Sequence, residues 1–173
     1  LGNAANNHIL IAVSATSDPT GNWHQYAIKS DANSAHWADY PTLGFNKNWI
    51  AVGADMFGVT SSDNYFTGLW AFSKADLYNG VASPNIQFFN SPGTATQPAE
   101  TFDPNQNDLF LLTQDSNSSV HLSRLTGSVG SASIVSVGSI AAPSGGSWTG
   151  NLPGAPQAGT TVTIGPGINW MMD

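Results

Sequence analysis

Apolar and β-branched residues fall in short runs of five to eight, at residues 9–16, 23–29, 49–56, 67–73, 86–90, 109–114, 120–125 and 134–140. Several alternate with polar residues at a period of two, the pattern of a strand with one face buried. No window of a dozen residues keeps apolar positions at i, i+3, i+4 and i+7, so little helix is expected. Turn formers separate the runs, among them Asp18-Pro19-Thr20-Gly21, Asn79-Gly80, Ser91-Pro92-Gly93, Asp103-Pro104-Asn105 and Thr126-Gly127. The fold class is all-β.

The runs group. A pair at 9–16 and 23–29 is followed by two sets of three, each preceded by a short candidate inner strand, residues 42–46 and 100–103. Taking Leu10, Ile50 and Leu109 as equivalent gives spacings of 40 and 59 residues, which bracket the roughly 40–50 residues of a four-stranded propeller blade. A β-propeller-like chain of about two to three four-stranded antiparallel blades is therefore expected, with a partial blade at 1–36, blades at 37–95 and 96–141, and a Pro/Gly-rich linker or start of a further blade at 142–173. A closed ring needs at least four blades, so these blades are expected to belong to a larger ring, completed by continuation of the chain or by self-association.

Composition narrows the partners. The 173 residues carry 4 Lys+Arg against 11 Asp+Glu, a net charge of −7. Such thin cationic charge excludes the counterion-releasing grip on phosphate that nucleic-acid binding needs, and it excludes a polybasic membrane patch. No apolar run approaches the ~20 residues of a membrane-spanning helix, so no membrane insertion is expected. Cysteine is absent, which removes disulfides, thiolate nucleophiles and Cys-ligated metals. Few charges with abundant Asn, Ser, Thr and Gly point to a secreted, extracellular protein.

Two segments carry a resemblance. Residues 16–23, Thr-Ser-Asp-Pro-Thr-Gly-Asn-Trp, place an Asp, a turn Gly and a closing Trp between two strands. They resemble the Asp-box of sialidase-type propellers, a structural hairpin outside the active site, with Gly21 one place later than in that pattern. Residues 37–45, Trp-Ala-Asp-Tyr-Pro-Thr-Leu-Gly-Phe, followed by Trp49-Ile50-Ala51-Val52, resemble with that hairpin a pattern of secreted bacterial β-propeller proteins of largely unassigned function. The resemblance covers residues 9–80 well and 81–141 loosely, and it implies a fold rather than a reaction.

Candidate chemistry is sparse. A glycosidase needs two carboxyl groups flanking the bond, and Glu100, the only glutamate, with Asp39 or Asp55 is the candidate pair. Ligand binding is assigned to Trp37, Asp39, Tyr40 and Trp148, because aromatic planes stack on sugar rings and carboxylates read hydroxyls. Asp103, Asn105, Asn107 and Asp108 supply oxygens at near-alternate positions and are the calcium candidates, although Asp108 stands where a calcium loop has Gly and Gln114 where it has Glu. Otherwise no cofactor is expected. His8, His24, His36 and His121 show no metal-pair spacing and are read as exposed strand residues; Trp23, Trp49 and Trp70 are read as core. Sialidase chemistry would need an arginine cluster, and Arg124 is the only arginine. The leading expectation is a binding or scaffold module that presents a loop face to glycan or protein ligands. Part of a propeller glycoside hydrolase or lyase is the first alternative, and a self-assembling extracellular structural subunit the second.

Overall fold

A computed structural model describes residues 7–60, 64–147, 155–161 and 163–164. The expected all-β class is observed. A hairpin of β1 (His8–Ser14) and β2 (Trp23–Lys29) is followed by two four-stranded antiparallel meanders. The first runs β3 (His36–Phe45), β4 (Trp49–Gly58), β5 (Phe66–Ser73) and β6 (Ile86–Asn90), and the second β7 (Thr94–Pro98), β8 (Leu109–Ser116), β9 (Ser119–Thr126) and β10 (Ser133–Ala141). A 3₁₀ turn at Pro143–Gly145 and a small ribbon of β11 (Ala155–Pro156) with β12 (Thr163–Ile164) complete the described chain.

The β3–β6 sheet is packed on both faces, and β4 shows why. Its residues 49–56 are all buried, so the strand reads as an apolar run interrupted only by Asp55, instead of the alternation usual for antiparallel sheets. Ile50, Val52, Ala54 and Met56 face the β1–β2 hairpin and form one core with Ile9, Trp70, Phe72 and Leu77. Trp49 and Ala51, with Leu69 and Ala71 of β5, face the second meander and form the other core with Leu109, Leu111 and Leu125. Each fully buried Trp, Phe, Leu or Met contributes about 1.5–3 kcal/mol. The partly exposed Arg124–Asp108 ion pair at 2.9 Å contributes at most about 1 kcal/mol, so apolar cover and not charge holds the layers.

The strands β3 and β7, each at one edge of its sheet, pack against one another. The Thr42 hydroxyl donates to the Thr96 carbonyl at 3.0 Å. A Cβ at Gly44 would stand 2.5 Å from the Pro98 backbone, so only glycine permits this approach.

The sequence reading needs correction in three places. The edge strand of the second meander is Thr94–Pro98, not residues 100–103; Glu100 makes only a single parallel bridge to Phe45. Two prolines made residues 91–99 look like a connector, but an edge strand tolerates Pro98 because its missing N–H faces no ladder partner. A short helix, α1 (Lys74–Tyr78), was not expected; it forms because the Ser73 hydroxyl caps the Asp76 amide at 3.1 Å. Trp23 is 45 % exposed, whereas Trp49 and Trp70 are core.

Replacing Gly44 by Ala is expected to overpack the β3–β7 contact and to cost about 1–3 kcal/mol, read as a lower urea midpoint at an unchanged slope. Gly21→Ala, whose Cβ would meet nothing closer than 3.4 Å, is the control and should leave the midpoint in place.

Candidate functional site

One end of the β3–β4 hairpin gathers four of the residues named from sequence. Antiparallel pairing sets Trp37 opposite Phe57 and Asp39 opposite Asp55, which puts all four side chains on the face turned toward the second meander. Trp37 stacks on Phe57 with ring centroids 5.3 Å apart and planes 29° apart, and Phe57 in turn meets Tyr65 at 5.3 Å. Beside this aromatic ladder the Tyr65 hydroxyl donates to Asp55 Oδ1 at 2.8 Å. Thr67, the neighbour of Asp55 on β5, donates to the Gly93 carbonyl at 2.6 Å, tying the site to the crossover between the sheets.

The two aspartates differ in environment. Asp39 is exposed, and Asp55 is only 7 % exposed. Burial pushes the Asp55 carboxyl above the ordinary aspartate range; the Tyr65 hydrogen bond works in the opposite direction, and the Asp39 charge adds to the rise. Tyr65 is also raised, by burial first and then by its bond to Asp55 and that group's charge. Like charges directly opposite on neighbouring strands destabilise a sheet, and a carboxyl that keeps its proton relieves that repulsion.

Tyr40 follows in a β-bulge between Asp39 and Thr42, with φ of 50° and 49 % of its surface exposed. Asp39 Oδ1 accepts the Tyr40 amide at 2.9 Å. A tyrosine in the left-handed region carries strain of order 1 kcal/mol or more, and bulges re-aim side chains next to functional sites. Here the bulge leaves Tyr40 exposed immediately after the aspartate.

The other sequence candidates lie elsewhere. Glu100 bridges Phe45, six residues from Asp39 along β3 and therefore about 20 Å away at the rise of a strand, so the structure brings it to neither aspartate. Asp103 Oδ1 accepts the Asn105 amide at 2.8 Å and Asp108 holds Arg124. The Asn107 carbonyl accepts from the buried Asn46 side chain at 3.0 Å, so this loop is docked onto the first sheet through its own backbone. Among the described residues no group of three or more His, Asp or Glu is arranged to hold a metal ion. Trp148 lies outside the described residues. His36 departs from the exposed-strand reading: its ring contacts Asp31 Oδ2 at 2.9 Å and the Asn64 carbonyl at 2.8 Å, with 17 % of the side chain exposed.

Phe57 and Tyr65 were not named from sequence. A signal for Phe57 exists, since Trp37-x-Asp39 and Asp55-x-Phe57 are nearly symmetric about the turn at residues 46–48 and must face one another if those strands form a hairpin. A second concavity was missed entirely. It runs along β1 as a groove of about 520 Å³ lined by Leu10, Ile11, Pro41, Leu43 and Val52. The groove continues into a smaller one of about 300 Å³ beside Trp23, Phe45, Tyr78 and Phe102. Lys74 Nζ sits 4.8 Å from the Phe45 ring centroid and donates to the Asn46 carbonyl at 2.9 Å.

Comparison with known families, characterised proteins and solved structures finds no significant match to this chain.

The raised Asp55 carboxyl sets a pH dependence. Its folded pKa lies above the unfolded value near 4, so the folded state binds more protons there and stability falls as pH rises from about 4 through the folded pKa. Asp55→Asn removes that term. Its urea midpoint relative to the parent is expected to climb between about pH 4 and 7, and a difference that stays flat over that interval would show Asp55 to be an ordinary exposed-type carboxylate.

Proposed function

We propose that the protein is a secreted β-propeller-type module that binds glycan at the Trp37–Asp39–Tyr40 end of β3. The observation that carries the reading is the Asp39–Asp55 pair set against an aromatic ladder with an exposed tyrosine beside it. Sugars are recognised by that combination, because apolar ring faces stack on aromatic planes while carboxylates accept hydroxyl hydrogen bonds. Exposed backbone strain at Tyr40 supports a functional rather than structural reason for the residue, since glycine would occupy the same conformation without cost.

The blade-like reading rests on two stacked four-stranded meanders whose inner edges, β3 and β7, lie side by side, with a hairpin layered on the far face. The Asp18 hairpin supports it as well. Its carboxylate accepts the Thr20 amide at 2.9 Å, and the Trp23 indole donates to the Pro19 carbonyl at 3.1 Å, an internally satisfied turn of the kind the Asp-box resemblance implies. Secretion is proposed from the composition, few charges with abundant Asn, Ser, Thr and Gly. No resident cofactor is required.

A hydrolase is the second reading, and the same pair favours it. Residues directly opposite on antiparallel strands have Cα atoms about 4.5–5.5 Å apart, and a buried carboxyl held above its ordinary range beside an exposed one supplies the acid of such a pair.

The deciding experiment probes an array of neutral and acidic oligosaccharides with the parent chain and with Tyr40→Gly and Asp39→Asn. Binding to at least one class is expected, weakened about tenfold or more in each variant, a loss of roughly 1.4 kcal/mol, while Tyr40→Gly unfolds no earlier than the parent. Undiminished binding in both variants, or no binding to any oligosaccharide, would overturn the reading; cleavage of a bound oligosaccharide that Asp55→Asn abolishes would establish the hydrolase instead.

A further inference from the structure

The second meander carries a hydrogen-bond relay that the glycan reading does not use. Antiparallel register sets Leu111 of β8 opposite Ser123 of β9 and Thr113 opposite His121, and it sets Ser136 and Ser139 of β10 opposite those same two β9 residues. All six therefore share the face that buries Leu109, Leu111 and Leu125. Residues three apart on a regular strand point to opposite faces. Ser136 and Ser139 share one because a β-bulge at Val137 separates them, followed by Gly138 at φ of 146°, a conformation that other residues rarely adopt. The bulge thus brings two hydroxyls of one strand to a single histidine.

That histidine is engaged at both ring nitrogens. Ser136 Oγ lies 3.0 Å from His121 Nε2, and Ser139 Oγ lies 3.4 Å from Nδ1. The Ser139 hydroxyl donates to Asp115 Oδ2 at 2.7 Å, and the Ser119 hydroxyl donates to the same oxygen at 3.1 Å. These bonds, that of Ser139 above all, hold the Asp115 carboxyl below the ordinary aspartate range, which keeps it an ionised acceptor. The direction of every other bond follows. Ser139 directs its proton at Asp115 and so accepts from the ring, which puts the ring proton on Nδ1 and leaves the lone pair on Nε2 for the Ser136 hydroxyl. A hydroxyl aimed at an imidazole lone pair, with the far nitrogen fixed by groups that end on a carboxylate, is how a nucleophile, its base and its orienting residues are arranged.

The surroundings leave room for a substrate. Ser136, Ser139 and Asp115 are exposed and His121 is half-buried, and a Cβ built at Gly138 would meet nothing within 4 Å. Ser123, opposite Ser136, is only 3 % exposed, yet its hydroxyl has no hydrogen-bond partner among the described residues, an omission that a face built for stability alone avoids.

We propose that Ser136 is the nucleophile of a site that hydrolyses short carboxylic esters, with His121 as general base and with Ser139 and Asp115 as positioning residues. Ser136 Oγ bonds to the ester carbonyl carbon as its proton passes to His121 Nε2. The bond from that carbon to the alcohol oxygen breaks, the departing oxygen takes the proton from Nε2, and the acyl group stays on Ser136. Water then attacks the acyl carbon and gives its proton to Nε2; that proton returns to Ser136 Oγ as the carboxylic acid leaves. Short acyl groups are assigned because the approach is an open strand face, where a long chain would stay in water. The reaction uses neither Asp39 nor Asp55 and is independent of the glycan reading.

The test treats the whole chain with p-nitrophenyl acetate and locates acetyl groups by peptide mass spectrometry, with Ser128, an exposed serine between β9 and β10, as internal reference. Ser136 is expected to gain an acetyl group about 100-fold or more faster than Ser128 and to lose it once the ester is exhausted. His121→Gln should bring Ser136 down to the Ser128 rate. Ser139→Ala should slow the acetylation and shift the His121 ring proton away from Nδ1, read from the ring nitrogen chemical shifts by NMR, and Ser139→Thr, which keeps the hydroxyl, should restore both. Equal acetylation of Ser136 and Ser128 in the parent would overturn the proposal without recourse to a variant. So would acetylation of Ser136 that His121→Gln leaves unchanged, or an acetyl group that never leaves Ser136.

Discussion

Eight successive buried residues in β4 require that the sheet containing them be covered on both sides. The rest of the architecture answers that requirement. The β1–β2 hairpin supplies Ile9, Ile11, Tyr26 and Ile28 to one face, and the β7–β10 meander supplies Leu109, Leu111 and Leu125 to the other. Three layers therefore stack about one central sheet, with the inner edges β3 and β7 forced together closely enough that Gly44 has no room for a side chain. The outer faces of the stack have no such cover; Val135, Val137 and Ile140 of β10 are exposed.

Buried amides and carboxylates fix how the layers meet. Asn46 has no exposed surface, accepts the Asn48 and Trp49 amides at 2.8 Å each, and donates across to the Asn107 carbonyl. A buried amide so satisfied is directional, unlike the apolar contacts around it, and fixes the turn of one hairpin against the loop that opens the next meander. Asp31 does the same where the chain enters β3. Its carboxylate accepts the Asn33, Ala35 and His36 amides as well as the His36 ring. Burial alone would raise its proton affinity, but these hydrogen bonds outweigh it and hold the carboxyl below the usual range. That stabilisation is present above the unfolded pKa and is lost as pH falls through the folded one, opposite in sign to the contribution of Asp55.

The Asp39–Asp55 pair is the local conflict in an otherwise consistent sheet. Other cross-strand partners include apolar pairs such as Leu109 with Leu125 and Val52 with Trp70, and no other paired positions of the described strands set two acids opposite one another. Two acids opposite one another, next to a tyrosine held at positive φ, break the rules of strand pairing at three neighbouring positions. Such concentrated violation marks function more often than accident, and it falls where β3 bends away from regular pairing.

Sequence by itself determined the all-β class and most strand positions, because period-two alternation and turn chemistry are local properties of the chain. It also marked Trp49 and Trp70 as core. It misplaced the inner strand of the second meander, since the Pro98 that reads as a breaker is harmless only on an edge, and edge status is decided by neighbours from distant sequence. Which carboxylates meet was likewise a matter of pairing. Glu100 is isolated from both aspartates because a parallel bridge fixes it at the other end of β3, whereas Asp39 and Asp55 face each other because an antiparallel register brings residues sixteen positions apart into contact. The groove along β1 had no sequence signal at all. Its walls come from two layers, and only the stacking of those layers creates the space between them.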